Sequence, residues 1–252
     1  SAYVFENIAG HDDLDSTSVN KAAEMLDSID ESVKGLRIGV PHEYFIKGMD
    51  EQVEKLIRKT ILKLEKMGAK VQEVHLPLTK YALAIYYILM PAEVSSNFSR
   101  YDGVRYGFRA KSENLMEMYL KSRKEGFGEE VRRRIMLGTY VLSSGYYDAY
   151  YKKGQQVRRL IKEDFGAAFK QVDCLVTPTA PALPFNLGEK FDNPLTMYLS
   201  DVFTVSANVA GLPAISVPCG KINKLPVGIQ FIGDQFKEKN IFQVAHQLEK
   251  NI

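Results

Sequence analysis

Residues 35–74 contain the clearest indication of the fold and read GLRIGVPHEYFIKGMDEQVEKLIRKTILKLEKMGAKVQEV. Residues 35–41 are typical of a short strand, and the alternating segment 71–74 predicts a second strand. Between them, Asp50 is placed to cap a helix that Gly68 ends. The apolar side chains that recur at helical spacing are Val53, Leu56, Ile57, Ile61 and Leu64. A strand, a helix and a strand with short connections predict two parallel strands.

A second group of strands is predicted nearer the end of the chain. Residues 172–178, VDCLVTP, are an apolar run typical of a strand that is buried on both faces. Segments 214–218 and 227–233 also have the composition of strands, and 236–250 has that of an amphipathic helix. We therefore predict an α/β fold, with a mixed β-sheet flanked by helices. The five predicted strands lie near residues 36–40, 71–74, 174–177, 214–217 and 227–232.

The middle of the chain is predicted to be mostly helical. Residues 81–98 are apolar on more than one face, so we expect a buried helix there. Further helices are predicted over residues 2–9, 114–124, 129–170 and 193–210. The helical segment 129–170 is expected to break near Gly145 and Gly154, because glycine weakens a helix interior.

Composition and charge exclude several classes of protein. The 252 residues are 45% hydrophobic and 25% charged, which is ordinary for a globular chain and excludes disordered and fibrous classes. The 33 basic and 31 acidic residues give a net charge of +2, which argues against a dedicated nucleic-acid surface. No apolar run approaches about 18 residues, so we expect no membrane span. Cys174 and Cys219 lack CxxC spacing, which favours a reducing, cytoplasmic location.

Common motifs for nucleotide, metal and histidine chemistry are absent from the sequence. Neither a P-loop nor a GxGxxG fingerprint occurs, and neither HExxH nor GxSxG is found. The aspartate-rich segment 11–18 lacks the glycine and distal glutamate of an EF-hand loop. The histidines without ligand spacing are His11, His42, His75 and His246. We therefore predict no metal site and no histidine-based hydrolase.

Two charged residues lie in predicted helices that are otherwise largely apolar. Arg134 shares a helix face with Leu137 and Val141, and Asp201 lies within YLSDVFT at 198–204. Buried charges need a partner or a ligand, and either residue alone is more often structural, such as an arginine in a salt bridge beneath a helix. Together they suit an α-amino acid, since a guanidinium binds a carboxylate and a carboxylate binds an ammonium group. We therefore expect Arg134 and Asp201 to face one cleft, too far apart to pair with each other.

Five segments, in order along almost the whole chain, carry a resemblance to a known family. They are YDGVRYG at 101–107, the segment from EGFG at 125–128 to RRRIMLG at 132–138, LSSGYYDAYY at 142–151, PTAP at 178–181 and NVAGLPAISVP at 208–218. Through these segments the chain resembles the glutaminase subunits of tRNA-dependent amidotransferases. Those subunits are members of the amidase-signature family of amide hydrolases.

The resemblance implies an activity and a set of partners. The family cleaves amides with a Ser–cis-Ser–Lys triad set in a Gly/Ser-rich segment. Its glutaminase subunits release ammonia from glutamine and pass it to a partner subunit, which uses ATP to amidate glutamate carried on tRNA(Gln). The implied partners are glutamine, subunits B and C of the complex, and tRNA(Gln) through the complex. ATP and Mg²⁺ are expected at the partner subunit, with no cofactor in this chain, and the implied location is the cytoplasm, or an organellar matrix in a eukaryote.

The resemblance also implies three substrate-binding residues. Arg134 matches the arginine that holds the α-carboxylate of glutamine, and Asp201 matches the acid that holds its α-ammonium group. Tyr86, which has Tyr87 beside it, matches an aromatic residue that lines the same pocket.

The sequence departs from the family in its catalytic segment. The Gly/Ser-rich signature and the stretch with the triad lysine are absent, and neither Ser95-Ser96 nor Ser143-Ser144 lies in such a segment, so no catalytic residue is assigned. We therefore predict that residues 1–252 are the C-terminal portion of a single amidase-signature domain, without its catalytic half and inactive alone. Two alternatives stay open. One is another amidase-signature hydrolase acting on a neutral or aryl amide, and the other is a non-catalytic module that holds partner subunits.

Overall fold

A mixed sheet of five strands forms in the part of the chain that the structure describes. The computed structural model describes residues 1–21, 24–189 and 194–252. The strands are β1 Arg37–Pro41, β2 Lys70–Val74, β3 Cys174–Pro178, β4 Ala214–Ile222 and β5 Leu225–Gly233. Their order is β2-β1-β3-β5-β4, where β1 is parallel to β2 and β3, and β5 is antiparallel to β3 and β4. The predicted α/β class and all five predicted strands are confirmed.

Helices account for most of the other regular structure among the described residues. They are α1 Ala2–Ile8, α2 Glu51–Lys66, α3 Ala82–Phe98, α4 Leu115–Gly126, α5 Glu129–Leu142, α6 Lys153–Phe169, α7 Pro194–Leu199, α8 Val205–Ala210 and α9 Glu238–Glu249. None of the helices described is long and apolar enough to cross a membrane. Two compact units are distinguished: a sheet unit, Ser1–Lys80 with Ile161–Ile252, and a helical unit, Tyr81–Leu160.

The strand–helix–strand unit forms as the sequence predicts. The Asp50 carboxylate accepts hydrogen bonds from the backbone N–H groups of Gln52 (2.8 Å) and Val53 (3.0 Å), so it caps α2. Helix α2 buries its apolar face, which packs against strands of the sheet. Gly68 follows the helix with φ +101° and ends it. Because the connections are short, β1 and β2 pair in parallel, with Ile38 opposite Val71.

Strand β3 occupies the centre of the sheet and of the sheet unit. All five of its residues are buried, as expected for a strand covered on both faces. Cys174, Leu175 and Val176 have no exposed surface, and they lie between β1 on one side and β5 on the other. The sheet unit therefore has its hydrophobic core around β3.

Both cysteine thiols are buried, which is expected to lower their reactivity in the native chain. Desolvation raises the pKa of Cys174 to about 12, and desolvation also raises the pKa of Cys219. Because the thiolate is the reactive species, we expect alkylation at pH 8 to be at least about 100-fold slower for native Cys174 than for the urea-unfolded chain. Iodoacetamide labelling followed by mass spectrometry measures both rates. Fast labelling of Cys174 in the folded chain would show that β3 is not at the centre of the core.

The predicted helix over 193–210 is wrong in its middle. Asn193 lies outside the described residues, α7 ends at Leu199, and α8 begins only at Val205. In the intervening turn, the Phe203 carbonyl accepts a hydrogen bond from the Gln230 side chain at 3.1 Å rather than from a helical N–H. The Phe203 ring is buried as well. Tertiary contacts of Phe203 therefore interrupt the helix.

The helical segment predicted over 129–170 is divided as expected near Gly145, which has φ +85°. Helix α5 ends at Leu142, and α6 runs through Gly154 without a break. The second irregularity is instead a π-helical turn over Tyr147–Lys152. The predicted helices over 2–9, 81–98, 114–124 and 236–250 correspond to α1, α3, α4 and α9.

Candidate functional site

Arg134 lies half-buried on α5 of the helical unit, among side chains of α3. Its Nε donates to Glu130 Oε1 at 2.7 Å, one helical turn away. Its Nη1 lies 3.5 Å from Met90 Sδ, and its guanidinium carbon is 5.5 Å from the centre of the Tyr87 ring. This ion pair with Glu130 is a structural role of the kind that the sequence also allows for Arg134, a salt bridge beneath a helix. The contacts with α3 place the guanidinium beside aromatic rings, a common setting for arginine.

The electrostatic surroundings of Arg134 keep it charged. Partial burial acts to lower the pKa of its guanidinium, but hydrogen bonds with Glu130 and Tyr86 outweigh this effect, and the pKa is raised. Arg134 is therefore a permanent cation at every physiological pH. Such a group is suited to bind a carboxylate.

Tyr86 is brought next to Arg134, as a shared binding role would require. Its side chain acts to raise the pKa of the Arg134 guanidinium, and its ring meets that of Tyr87 edge to face, with ring centres 5.0 Å apart. Both tyrosines are half-buried on α3. Of the two apolar residues expected on the same helix face as Arg134, Val141 is buried and Leu137 is 44% exposed.

Gly138 allows α5 to approach α3 closely enough for these contacts. A Cβ atom at Gly138 would lie 1.8 Å from the Pro91 carbonyl oxygen, a distance that no side chain tolerates. Arg134 lies one turn before Gly138 on the same helix, so this backbone contact sets the distance between Arg134 and α3. The sequence reasoning missed this role, although a glycine inside a helix was a signal of close packing.

Asp201 lies in the turn between α7 and α8 of the sheet unit, and it is exposed. The expectation of a buried acid within a helix is therefore wrong. Its backbone carbonyl accepts hydrogen bonds from the N–H groups of Thr204 (3.0 Å) and Val205 (3.2 Å), which fixes the turn. Arg134 and Tyr86 belong to the helical unit and Asp201 to the sheet unit. That Arg134 and Asp201 face one cleft stays a prediction.

A cavity of about 190 Å³ lies in the sheet unit, beside the residue that precedes Asp201. It is lined by the proline-rich loop 179–185, by Ser200 and by residues 226–228. The hydroxyl group of one lining residue, Thr179, forms a hydrogen bond with that of Ser216 at 2.7 Å. A Cβ atom at Gly228 would lie 2.9 Å from Thr179 Oγ1, so glycine leaves room for the hydroxyl pair.

The described residues contain no cluster of three His, Cys, Asp or Glu side chains able to hold a metal ion. The functional features seen within the units are therefore a permanent cation beside tyrosines, an exposed acid on a fixed turn, and a small cavity with hydroxyl groups among its lining residues. These features suit a small polar organic ligand.

Comparison with known proteins defines the class to which this fold and these residues belong. The profile of the Amidase family matches residues 1–242, so the chain belongs to the Amidase family. A bacterial aryl acylamidase of the amidase-signature enzymes has the same fold, with a TM-score of 0.77 and 19% identity over 99% of this chain and 50% of that chain.

More specific similarity is found to one component of an amidotransferase. The chain is 54% identical over 253 aligned positions to the glutamyl-tRNA(Gln) amidotransferase A subunit of Thermodesulfovibrio yellowstonii, covering all of this chain and 52% of the relative. The crystal structure of the corresponding protein from Thermotoga maritima matches with a TM-score of 0.78 and 42% identity, over 99% of this chain and 50% of that chain. The chain thus spans about half the length of the curated relatives it matches.

Proposed function

We propose that this chain forms the glutamine-binding portion of the glutaminase subunit of a tRNA-dependent amidotransferase. The observation that carries the proposal is the permanently charged Arg134, held beside Tyr86 on two helices that pack through Gly138. The 54% identity to the Thermodesulfovibrio yellowstonii protein, over the full chain, supports the choice of substrate. We further propose that residues 1–252 correspond to the C-terminal half of such a glutaminase subunit.

Each binding residue has a distinct role in this proposal. The planar guanidinium of Arg134 binds the α-carboxylate of glutamine, while Tyr86 lines the same pocket. Asp201 binds the α-ammonium group from its exposed turn. An amide without these two charges would use neither group, so the pair selects an amino acid over a neutral or aryl amide.

The partners follow from the proposed role. The complete glutaminase subunit would release ammonia from glutamine, and subunits B and C would use that ammonia to amidate glutamate on tRNA(Gln) in the cytoplasm, or in an organellar matrix. ATP and Mg²⁺ would bind at the partner subunit, as the resemblance to the glutaminase subunits implies, with no cofactor in this chain. The names of the relatives support membership of an amidotransferase complex.

We also propose that residues 1–252 do not hydrolyse glutamine alone. Amide cleavage requires an activated nucleophile, a proton acceptor and donors for the oxyanion. The sequence has no Gly/Ser-rich segment to supply the nucleophile and the oxyanion donors. Binding substrate and transition state equally well does not raise the turnover rate.

An ammonia assay tests both parts of the proposal. We expect the purified 252-residue chain to release no ammonia from glutamine. After addition of the N-terminal half of a family member, we expect ammonia to be released. Asp201→Asn should reduce the reconstituted activity at low glutamine concentration, whereas the matched control Asp13→Asn, at another exposed acid, should not. Ammonia release by the chain alone, abolished by a serine substitution within 1–252, would contradict the assignment of no catalytic residue. Failure of the reconstituted protein to use glutamine would contradict the proposed substrate.

A further inference from the structure

Gln230 is one of the few buried polar side chains of the sheet unit, with 4% of its surface exposed. Its Nε2 donates two hydrogen bonds, one to Thr177 Oγ1 at 2.9 Å and one to the Phe203 carbonyl oxygen at 3.1 Å. The first partner lies on β3 in the sheet, and the second lies in the turn that carries Asp201. The side chain of Gln230 therefore joins the sheet to that turn.

The sheet partner of Gln230 is fixed by strand register. Thr177 on β3 and Ser216 on β4 both pair directly with Gln230 on β5, so the three side chains form a row across one face of the sheet. Pairing on both sides leaves β5 no freedom to shift, and a shift of one residue would move Gln230 to the opposite face. The paired strands therefore hold the side-chain amide of Gln230 in a fixed position next to the turn.

The turn is held from its other side by Tyr44. The Tyr44 ring stacks on the Phe203 ring with centres 5.6 Å apart, and the Tyr44 hydroxyl hydrogen-bonds Ser206 Oγ. Tyr44 and Ser206 are both buried. Asp201 lies only two residues from Phe203, so these contacts fix the backbone from which its carboxylate projects.

We propose that Gln230 is a positioning residue for Asp201. By donating to the Phe203 carbonyl, it holds the turn 200–204 in the one conformation that directs the Asp201 carboxylate toward a ligand's ammonium group. This inference rests on the proposed function, because it takes Asp201 to be a substrate-binding residue. Without the amide donor, the buried carbonyl of Phe203 loses its partner and the turn shifts to find another.

The test uses a double-mutant cycle in the complete glutaminase subunit within its complex. Gln230→Met keeps the length of the side chain and removes both donors. We expect it to raise the KM for glutamine about 10-fold with kcat changed less than about 2-fold, because an interaction present in both ground and transition states is weakened. Asp201→Asn should raise the KM by at least as much. In the double variant, Gln230→Met should add little to Asp201→Asn, because it acts through the same carboxylate.

Two further variants separate positioning from general loss of structure. Gln243→Met is the matched control. Gln243 is also buried, and its Nε2 donates to the Ser32 carbonyl at 3.0 Å, so its hydrogen bond involves no residue of the turn 200–204. It should leave the KM unchanged. If Gln230→Met does not fold, Tyr44→Phe removes the hydroxyl that holds Ser206, and it should also raise the KM without changing kcat. Hydrogen exchange of residues 200–206 in the same protein should be faster in Gln230→Met and unchanged in Gln243→Met.

The outcomes distinguish this inference from the proposed function. If Asp201→Asn leaves the KM for glutamine unchanged, the proposed role of Asp201 is wrong, and the inference falls with it. If Asp201→Asn raises the KM but Gln230→Met does not, or if the two effects multiply in the double variant, the inference alone is wrong. The inference is supported if hydrogen exchange of residues 200–206 is faster in Gln230→Met and the two effects on the KM do not multiply in the double variant.

Discussion

Replacing Gly138 with alanine is expected to destabilise the helical unit by about 1–3 kcal/mol, the usual cost of overpacking. The added Cβ would lie 1.8 Å from the Pro91 carbonyl oxygen and 2.4 Å from its carbon, and both are backbone atoms that cannot rotate away. Alanine would also gain about 1 kcal/mol in helix propensity over glycine. Because the clash forces α5 away from α3, we expect the loss of packing to exceed that gain.

A second helical glycine provides the control for this experiment. A Cβ atom at Gly166, on α6, would meet nothing within 4 Å, so Gly166→Ala should be neutral or stabilising by up to about 1 kcal/mol. Urea unfolding followed by circular dichroism measures both variants. If Gly138→Ala is as stable as Gly166→Ala, then α3 and α5 are not packed through this contact, and the placement of Arg134 beside Tyr86 needs another explanation.

Replacing Arg134 with alanine in the complete glutaminase subunit is expected to weaken glutamine use about 10- to 150-fold in kcat/KM. This range corresponds to the loss of about 1.5–3 kcal/mol for a charged hydrogen-bond partner. Arg134→Lys should also be impaired, because an ammonium group lacks the planar pair of donors that matches a carboxylate. A small neutral amide has no α-carboxylate, so its hydrolysis should be less affected. Steady-state kinetics with both substrates measures the difference.

The structural role of Arg134 can be separated from its binding role. Its ion pair with Glu130 is partly exposed and joins residues one turn apart, a type of pair that contributes about 0.3–0.5 kcal/mol to stability. Because the cation–π contact with Tyr87 is lost as well, Arg134→Ala should lower the free energy of unfolding by about 1 kcal/mol. Arg132→Ala is the matched control, since Arg132 is exposed on the same helix and donates to the Lys124 carbonyl. Equal losses on glutamine and on the neutral amide would identify Arg134 as a structural arginine.

Prediction from sequence succeeded where local pattern and tertiary environment agree. Helix α2 has an apolar stripe, a capping Asp50 and a terminating Gly68, and each of these signals depends only on nearby residues. Strand β3 is buried on both faces, so its apolar composition identified it without reference to its neighbours. Prediction failed over 193–210, where the helical pattern is overridden by the buried Phe203 and its hydrogen bond from Gln230.

In the candidate site, too, some features could be predicted from the sequence and others could not. Family resemblance predicted Arg134, Asp201 and Tyr86 as substrate-binding residues from the residues that surround them in the sequence, and the structure places Tyr86 beside Arg134. The exposure of Asp201 was not predicted, because the acid was taken to be inside a helix. Gln230 gave no signal in the sequence, since a glutamine in an apolar strand becomes informative only when its distant partners are known.

Five strands, the parallel pairing of β1 with β2, the burial of β3, most helix boundaries and the family of the chain could all be predicted from the amino-acid sequence. Those properties depend on residues close together in the chain, or on matching motifs. The contact of Gly138 with Pro91, the hydrogen bond from Gln230 to Phe203 and the turn at 200–204 became visible only in the folded chain. The two contacts join segments 27 or more positions apart, and the turn depends on the second of them; a contact at that separation is set by how helices and strands pack, which no local pattern records.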